Sequence, residues 1–317
     1  MKIKFMIICT AVVLATGCAN NRKAEQFTAL PFPASVPPAM MEEPQDRAKY
    51  LAMRWFDQIT DPSRTYPCDS ALVSGVLRSD IEQNFANWTS VLDMVELDYA
   101  RKSVSHLYDR AAECEKKDTN SNVFETFTDL MVKYLYDPNS PLRNEDYYSA
   151  YSERLSKSDL VEPVMRDKYV RETSLSALNR IGTKAADFRF TDVRGKSYSL
   201  YGIRSEYILL FFSNPGCNAC KEIIDVLNGD PKISSLINEG TMKVLNIYID
   251  EDLEAWKSYM PIYPEKWYNG FDPDLVIRGE TLYNVRAIPS LYLLDKDKIV
   301  IMKDAPENRL FDYLSRL

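Results

Sequence analysis

The sequence predicts two unlike parts: an all-helical domain over residues 43–180, then an α/β domain over 181–317 with helices flanking one central mixed sheet. Three observations point there. From Tyr50 to Leu178 apolar residues recur at helical spacing, and no strand pattern of any length breaks them. From Ile181 onward, short apolar runs and helical segments follow the order β-β-β-α-β-α-β-β-α, alternating at first and ending in an antiparallel pair. The run Tyr207-Ile-Leu-Leu-Phe-Phe212 is apolar throughout, as suits a strand buried on both faces.

Bulk properties fit folded domains and narrow the function. A chain of 317 residues, 45% hydrophobic and 27% charged, has room for two packed cores. Its formal charge of −7 lacks the basic footprint of a nucleic-acid binder, so no nucleic-acid partner is expected. The one histidine, His106, excludes a histidine-rich metal site and reads as a structural or surface residue of a helix. No metal and no cofactor are expected.

Residues 1–17 read as an export signal. Lys2 and Lys4 form a positive start, and the apolar stretch from Phe5 to Ala15 is too short to span a bilayer. Leu14-Ala-Thr-Gly-Cys18 resembles a bacterial lipobox, with its aliphatic residue one place early. The expected product begins at a lipid-acylated Cys18, so the membrane is met through that anchor alone. Ala19, rather than Asp, after the cysteine points to the outer membrane, with the protein facing the periplasm. An ordinary cleaved signal or an uncleaved anchor are the alternatives, and each also exports the chain to an oxidising compartment. Residues 18–42 form a tether, where Pro31, Pro33, Pro37 and Pro38 favour extended backbone. Its apolar residues Leu30, Phe32 and Val36 either span freely or dock onto the body.

The helices follow in order. Tyr50, Leu51, Trp55 and Ile59 mark the first. Ser79-Asp-Ile-Glu82 reads as a capping box ahead of Phe85, Trp88, Val91 and Leu92. A long helix follows over 95–116. Asn122-Val-Phe-Glu125 reads as a second capping box, opening a helix to Tyr136. Asp137-Pro-Asn-Ser-Pro141 breaks the chain. Asn144 then caps a helix to Leu155, and Ser158 caps the last one, to about Leu178. Tyr50, Trp55, Trp88 and the cluster Tyr147, Tyr148 and Tyr151 are either core or the lining of a ligand groove. Nothing in this half offers a catalytic constellation.

In the second half, Phe188–Thr191 and Ser197–Leu200 flank Asp192-Val-Arg-Gly-Lys196 and read as a hairpin. The apolar strand 207–212 ends in Ser213-Asn-Pro-Gly216, which is turn chemistry, and a helix follows around Lys221–Leu227. Met242–Ile249 alternates as a strand, Glu251–Tyr259 is helical, and residues 261–282 are irregular. Ser290–Leu294 and Lys298–Met302 form a second hairpin, and Glu307–Leu317 a closing helix.

The cysteines divide by role. Cys9 belongs to the signal and Cys18 is the lipidation site. Cys217 and Cys220 stand where a strand turns into a helix, the arrangement redox dithiols use. The partly positive helix end favours thiolate in its first turn, and thiolate is the reactive species. Cys68 and Cys114 either pair or remain two separate buried thiols. A loop of that length, once closed, stabilises a fold by about 4 kcal/mol through loop-closure entropy.

Three marks together resemble the thioredoxin superfamily, and within it the exported TlpA/ResA-like branch. They are the dithiol Cys217-Asn-Ala-Cys220, the Ala287-Ile-Pro-Ser290 segment just before a strand, and the leading block Gly182-Thr-Lys-Ala-Ala-Asp-Phe188 with its hairpin. The helical half, with Lys133-Tyr-Leu-Tyr-Asp-Pro-Asn-Ser-Pro-Leu-Arg-Asn144, resembles the uncharacterised helical domain that precedes such modules in Bacteroidota lipoproteins. The resemblance implies a thioredoxin-like fold over 181–317 and a redox disulfide between Cys217 and Cys220. It implies that Cys217 is the nucleophile, that Cys220 resolves the mixed disulfide, and that Pro289 is cis, with the Ile288 backbone pairing with substrate. It also implies protein thiols or disulfides as substrates and a membrane electron donor. Gly216 stands where thioredoxins usually have Trp, and Phe211 where they bury a carboxylate. Ile223 replaces the glutamate of the ResA-like group, with Glu222 one place off, and Ala186 stands where the leading block usually has Pro. Asn214 and Leu210 depart from the peroxiredoxin pattern.

The expected function is a membrane-tethered thiol–disulfide oxidoreductase that reduces protein disulfides in the cell envelope. The alternative is a non-enzymatic binding lipoprotein, in which the helical half recognises a partner and the thioredoxin fold is a scaffold.

Overall fold

In the computed structural model, which describes residues 28–66 and 70–317, the first half is built from helices whose apolar faces meet in one core. The expected signal, Cys18 and Cys68 lie outside the described residues. The helices are α1 (Pro44–Arg54), α2 (Arg78–Leu92), α3 (Leu97–Lys117), α4 (Val123–Leu130), α5 (Glu145–Ser156) and α6 (Pro163–Ser176). Phe56, Phe85, Trp88 and Phe127 form the centre, with ring centroids 4.8 to 6.5 Å apart. The indole of Trp88 donates to the Ala52 carbonyl at 2.8 Å, so a buried polar atom is satisfied. Tyr147, Tyr148 and Tyr151 are likewise core, whereas Tyr50 and Trp55 are half-buried.

Four local expectations are corrected. The helical half does contain strands: β1 (Leu72–Val73) and β2 (Val76–Leu77) form a hairpin closed by Ser74 and Gly75, both with positive φ. Two residues a side are too few to show alternation. This hairpin runs straight into α2, whose first N–H is satisfied by the Ala71 carbonyl, so Ser79 lies inside the helix rather than capping it. Glu82, its expected partner, instead accepts from Lys133 and Tyr134. The last helix begins at Pro163, whose fixed φ suits a first helical position, and Ser158 serves the preceding turn by accepting from Leu160. Asn144 caps α5 as expected, accepting from the Tyr147 N–H. The segment after Asn122 does reach Tyr136, but the Asn122 side chain makes no capping bond and donates to the Leu72 carbonyl at 2.7 Å, and Met131–Tyr136 is wound as a π-helix.

Leu30 and Phe32 dock on this body. The Leu30 N–H donates to the Gly75 carbonyl at 2.8 Å, and the Phe32 ring meets Phe56 edge-on. Val36 is exposed.

The second half comprises β3 (Arg189–Asp192), β4 (Ser197–Ser199), β5 (Tyr207–Phe212), α7 (Asn218–Gly229), α8 (Pro231–Asn238) and β6 (Met242–Tyr248). There follow α9 (Leu253–Tyr259), β7 (Tyr268–Phe271), α10 (Val276–Gly279), β8 (Ser290–Asp295), β9 (Val300–Met302) and α11 (Glu307–Leu314). The seven strands β3 to β9 make one mixed sheet in the order β4-β3-β7-β6-β5-β8-β9. β5 runs parallel to β6 and antiparallel to β8. Its alternate residues feed two cores, Leu209 and Phe211 on the α7 face, Ile208, Leu210 and Phe212 on the other.

Residues 261–282, expected to be irregular, supply β7, which joins the sheet between β3 and β6. Gly270 reads as a turn residue, yet its role is close approach: a Cβ there would lie 2.6 Å from the Phe190 ring. α8 is absent from the sequence expectation, although Asp230 caps it through the Lys232 and Ile233 N–H groups ahead of Pro231. Among the described residues, no helix is long and apolar enough to cross a membrane.

Candidate active site

Strand register brings the predicted residues together. Phe212, the last residue of β5, lies opposite Ser290, the first of antiparallel β8. Whatever follows Phe212 therefore sits beside whatever precedes Ser290, at one end of the sheet. The first is the Ser213–Gly216 turn and dithiol; the second is Ile288–Pro289. The Ile288–Pro289 peptide is cis. Gly216, with φ +72 and an exposed surface, makes the reversal that an L side chain disfavours.

Cys217 is the N-cap of α7, and its sulfur accepts from the Cys220 N–H at 3.1 Å. The two sulfurs are bonded to each other, with Cα atoms 5.2 Å apart. Cys217 is half-buried, while Cys220, one turn on, is only 2% exposed. Apolar Phe211, Ile223 and Ile224 share its core cluster. Asn214 donates to Asp250 at 2.7 Å, tying the turn to the end of β6, and Arg278 pairs with the same carboxylate.

The family described as "Domain of unknown function (DUF5106)" matches residues 14–179. The crystal structure of a thioredoxin-like protein from Bacteroides caccae ATCC 43185 is 36% identical and superposes with a TM-score of 0.77, covering 90% of this chain and 99% of that one. The chain belongs to this DUF5106-bearing, thioredoxin-like family. Over 141 residues, 44% of the chain, it is also 26% identical to "Thiol-disulfide oxidoreductase ResA" of Bacillus anthracis, covering 79% of that protein. The C-terminal domain of an uncharacterized protein from Bacteroides fragilis NCTC 9343 is 46% identical over 43% of the chain and 98% of its own, with a TM-score of 0.42.

Beside the dithiol, the thioredoxin-like half carries a polar network that sequence reasoning missed. The Ser213 hydroxyl donates to Asn246 and lies 3.5 Å from the Tyr263 hydroxyl. Asn246 donates in turn to Asn269 at 3.0 Å, and Asn269 to the Pro264 carbonyl at 2.8 Å. Burial raises the Tyr263 phenol above its ordinary pKa, so it stays a neutral hydroxyl. The signal for this network is Asn246, a buried polar residue between the apolar Leu245 and Ile247 of β6.

The remaining predicted residues lie away from the site. Cys114 is buried in the helical core with a free thiol. His106 lies on α3 with its Nε2 3.1 Å from Asp57, beside an open cleft of 490 Å³. Among the described residues, no group of three or more His, Cys, Asp or Glu side chains is disposed to hold a metal ion.

Proposed function

We propose that the protein is a thiol–disulfide oxidoreductase that reduces protein disulfides through Cys217 and Cys220. The observation that carries this reading is a half-buried Cys217 at the start of α7, with a buried Cys220 one turn behind it and the Ile288–Pro289 turn alongside. The similarity to thiol-disulfide oxidoreductase ResA supports the same chemistry.

In the reduced enzyme the Cys217 thiolate, favoured by the helix N-terminus, attacks one sulfur of a substrate disulfide. A Cys217–substrate bond forms, the substrate S–S bond breaks, and the other substrate sulfur leaves as a thiolate and takes a proton. Deprotonated Cys220 then attacks the Cys217 sulfur, and the second substrate sulfur leaves in the same way. Two electrons have passed to the substrate, and the enzyme holds the Cys217–Cys220 disulfide. A membrane electron donor with a dithiol of its own reverses the exchange for the next turn, its two thiols becoming a disulfide as Cys217 and Cys220 are released as thiols. The Ile288 backbone pairs with the extended substrate segment. In this reading residues 181–317 are the redox module and 43–180 the helical domain. The tether 18–42 holds both to a lipid on Cys18 at the outer membrane, facing the periplasm.

Trapping tests this directly. Cys220→Ser should accumulate a mixed disulfide through Cys217, and the wild-type protein should reduce insulin while Cys217→Ser does not. An inert wild type with no trapped adduct, and a Cys217–Cys220 reduction potential below about −300 mV, would mark a structural bond and sink the proposal.

A further inference from the structure

The two halves meet through polar contacts at Asn284 and Arg286, just before the Ile288–Pro289 turn, and at residues 303–305. Arg286, two residues before Ile288, points its guanidinium back toward the helical half. Its Nε lies 2.8 Å from Glu145, the first residue of α5, and its plane sits 4.5 Å from the centre of the Tyr136 ring. Its Nη2 donates to Asp304 at 2.9 Å. Ser290, directly after Pro289, donates its hydroxyl to the other oxygen of Asp304 at 2.8 Å. One buried carboxylate therefore holds the chain on both sides of the turn.

The helical half secures that carboxylate and its neighbours. Arg143 donates to the Asp304 and Ala305 carbonyls, each at 3.0 Å. Glu145 accepts from Asn284 at 2.6 Å and lies 2.7 Å from the Lys303 ammonium. Lys303 also donates to the carbonyls of Ser176 and Leu178 at the end of α6. Burial works against the Arg286 charge, yet Glu145 and Asp304 beside it lift its pKa above the ordinary value, so the guanidinium stays charged.

Simple docking of two domains does not need such a cluster. Buried ion pairs hold geometry at a cost in desolvation, and apolar contacts of the same size are often as stable or more so. What these pairs add is a fixed direction for each group. Here the fixed groups are the residues flanking the turn beside the dithiol.

We propose that the helical half positions the Ile288–Pro289 turn through Glu145, Arg286 and Asp304, and so governs how a protein disulfide is presented to Cys217. This rests on the oxidoreductase reading above. Glu145, Arg286 and Asp304 are positioning residues; none of them touches a sulfur. A protein substrate must align its backbone along the turn, so a displaced turn misplaces its disulfide. A small disulfide needs only to reach Cys217.

The test compares insulin with the small aromatic disulfide 5,5′-dithiobis(2-nitrobenzoate), using the reduced full-length protein. Glu145→Gln keeps the shape of the side chain and removes its charge. It should lower kcat/KM for insulin about tenfold, mainly through KM, and leave the rate with the small disulfide within about twofold. Should that variant fail to fold, Arg286→Lys, which keeps the charge and loses the stacked fork, is read in the same way. Equal losses on both disulfides, or none on either, overturn the positioning role. A wild-type protein inert toward both rejects the oxidoreductase reading itself, whereas an active wild type with indifferent variants rejects only the positioning.

Discussion

Cys217 and Cys114 show how one residue type takes opposite characters from its surroundings. Cys217 sits half-buried at a helix N-terminus, where partial positive charge favours the thiolate. Cys114 faces the helical core, and burial pushes its thiol up to about 11. In that state roughly one thousandth of it is ionised at pH 8. In the reduced native protein, iodoacetamide at pH 8 should therefore label Cys217 within minutes and spare Cys114 until urea is added. The residual Cys114 rate should climb about tenfold per pH unit toward that value. Mass spectrometry showing equal labelling of the two in the folded state would contradict this. At this scale the candidate site was largely legible. Cys217 and Cys220 announce themselves by spacing and by their place between strand and helix, whereas Ile288 and Pro289 were marked only by the resemblance to the thioredoxin superfamily. Ser213 and Asn246 did not, because a hydroxyl and an amide acquire meaning only when two strands bring them into contact.

Elements were legible where local chemistry decides them. Asn144 starts α5 because its side chain reaches the Tyr147 N–H, an interaction confined to four residues. Ser79 carried the same signature and does not cap, because a neighbouring hairpin had already satisfied the helix start. β7 was hidden for a related reason. Trp267-Tyr-Asn-Gly270 has turn composition, but the glycine is there because Phe190 of β3 leaves no room for a Cβ. Gly270→Ala should accordingly cost about 1–3 kcal/mol in urea unfolding, through overpacking against Phe190 and the Thr191 carbonyl. The double variant with Phe190→Leu should recover part of that loss. A Gly270→Ala protein as stable as wild type would mean that β7 can shift to make room.

For the whole molecule, the decisive feature is the buried ionic seam between the halves. Lys303 is buried and holds three acceptors of the helical half, Glu145 and the carbonyls of Ser176 and Leu178. Lys303→Met would leave Glu145 short of a partner in a dry site and should cost about 3–5 kcal/mol. Because the seam belongs to both halves, the loss should appear equally in far-ultraviolet circular dichroism and in tryptophan fluorescence, as one shifted transition. Two separated transitions in the wild-type protein would show instead that the halves unfold independently.

The sequence by itself determined the two-part architecture and the strand-turn-helix that carries the dithiol. Each of these is written in local periodicity, turn residues and spacing, which act over a few neighbouring residues. Only the tertiary structure decided that Phe212 faces Ser290, that β7 completes the sheet, and that Arg286 lies between Glu145 and Asp304. The contact of Asn284 with Glu145 alone spans 139 positions of the chain. A lone glutamate after a helix cap carries no mark of the arginine it will meet, since that pairing exists only once both domains have packed.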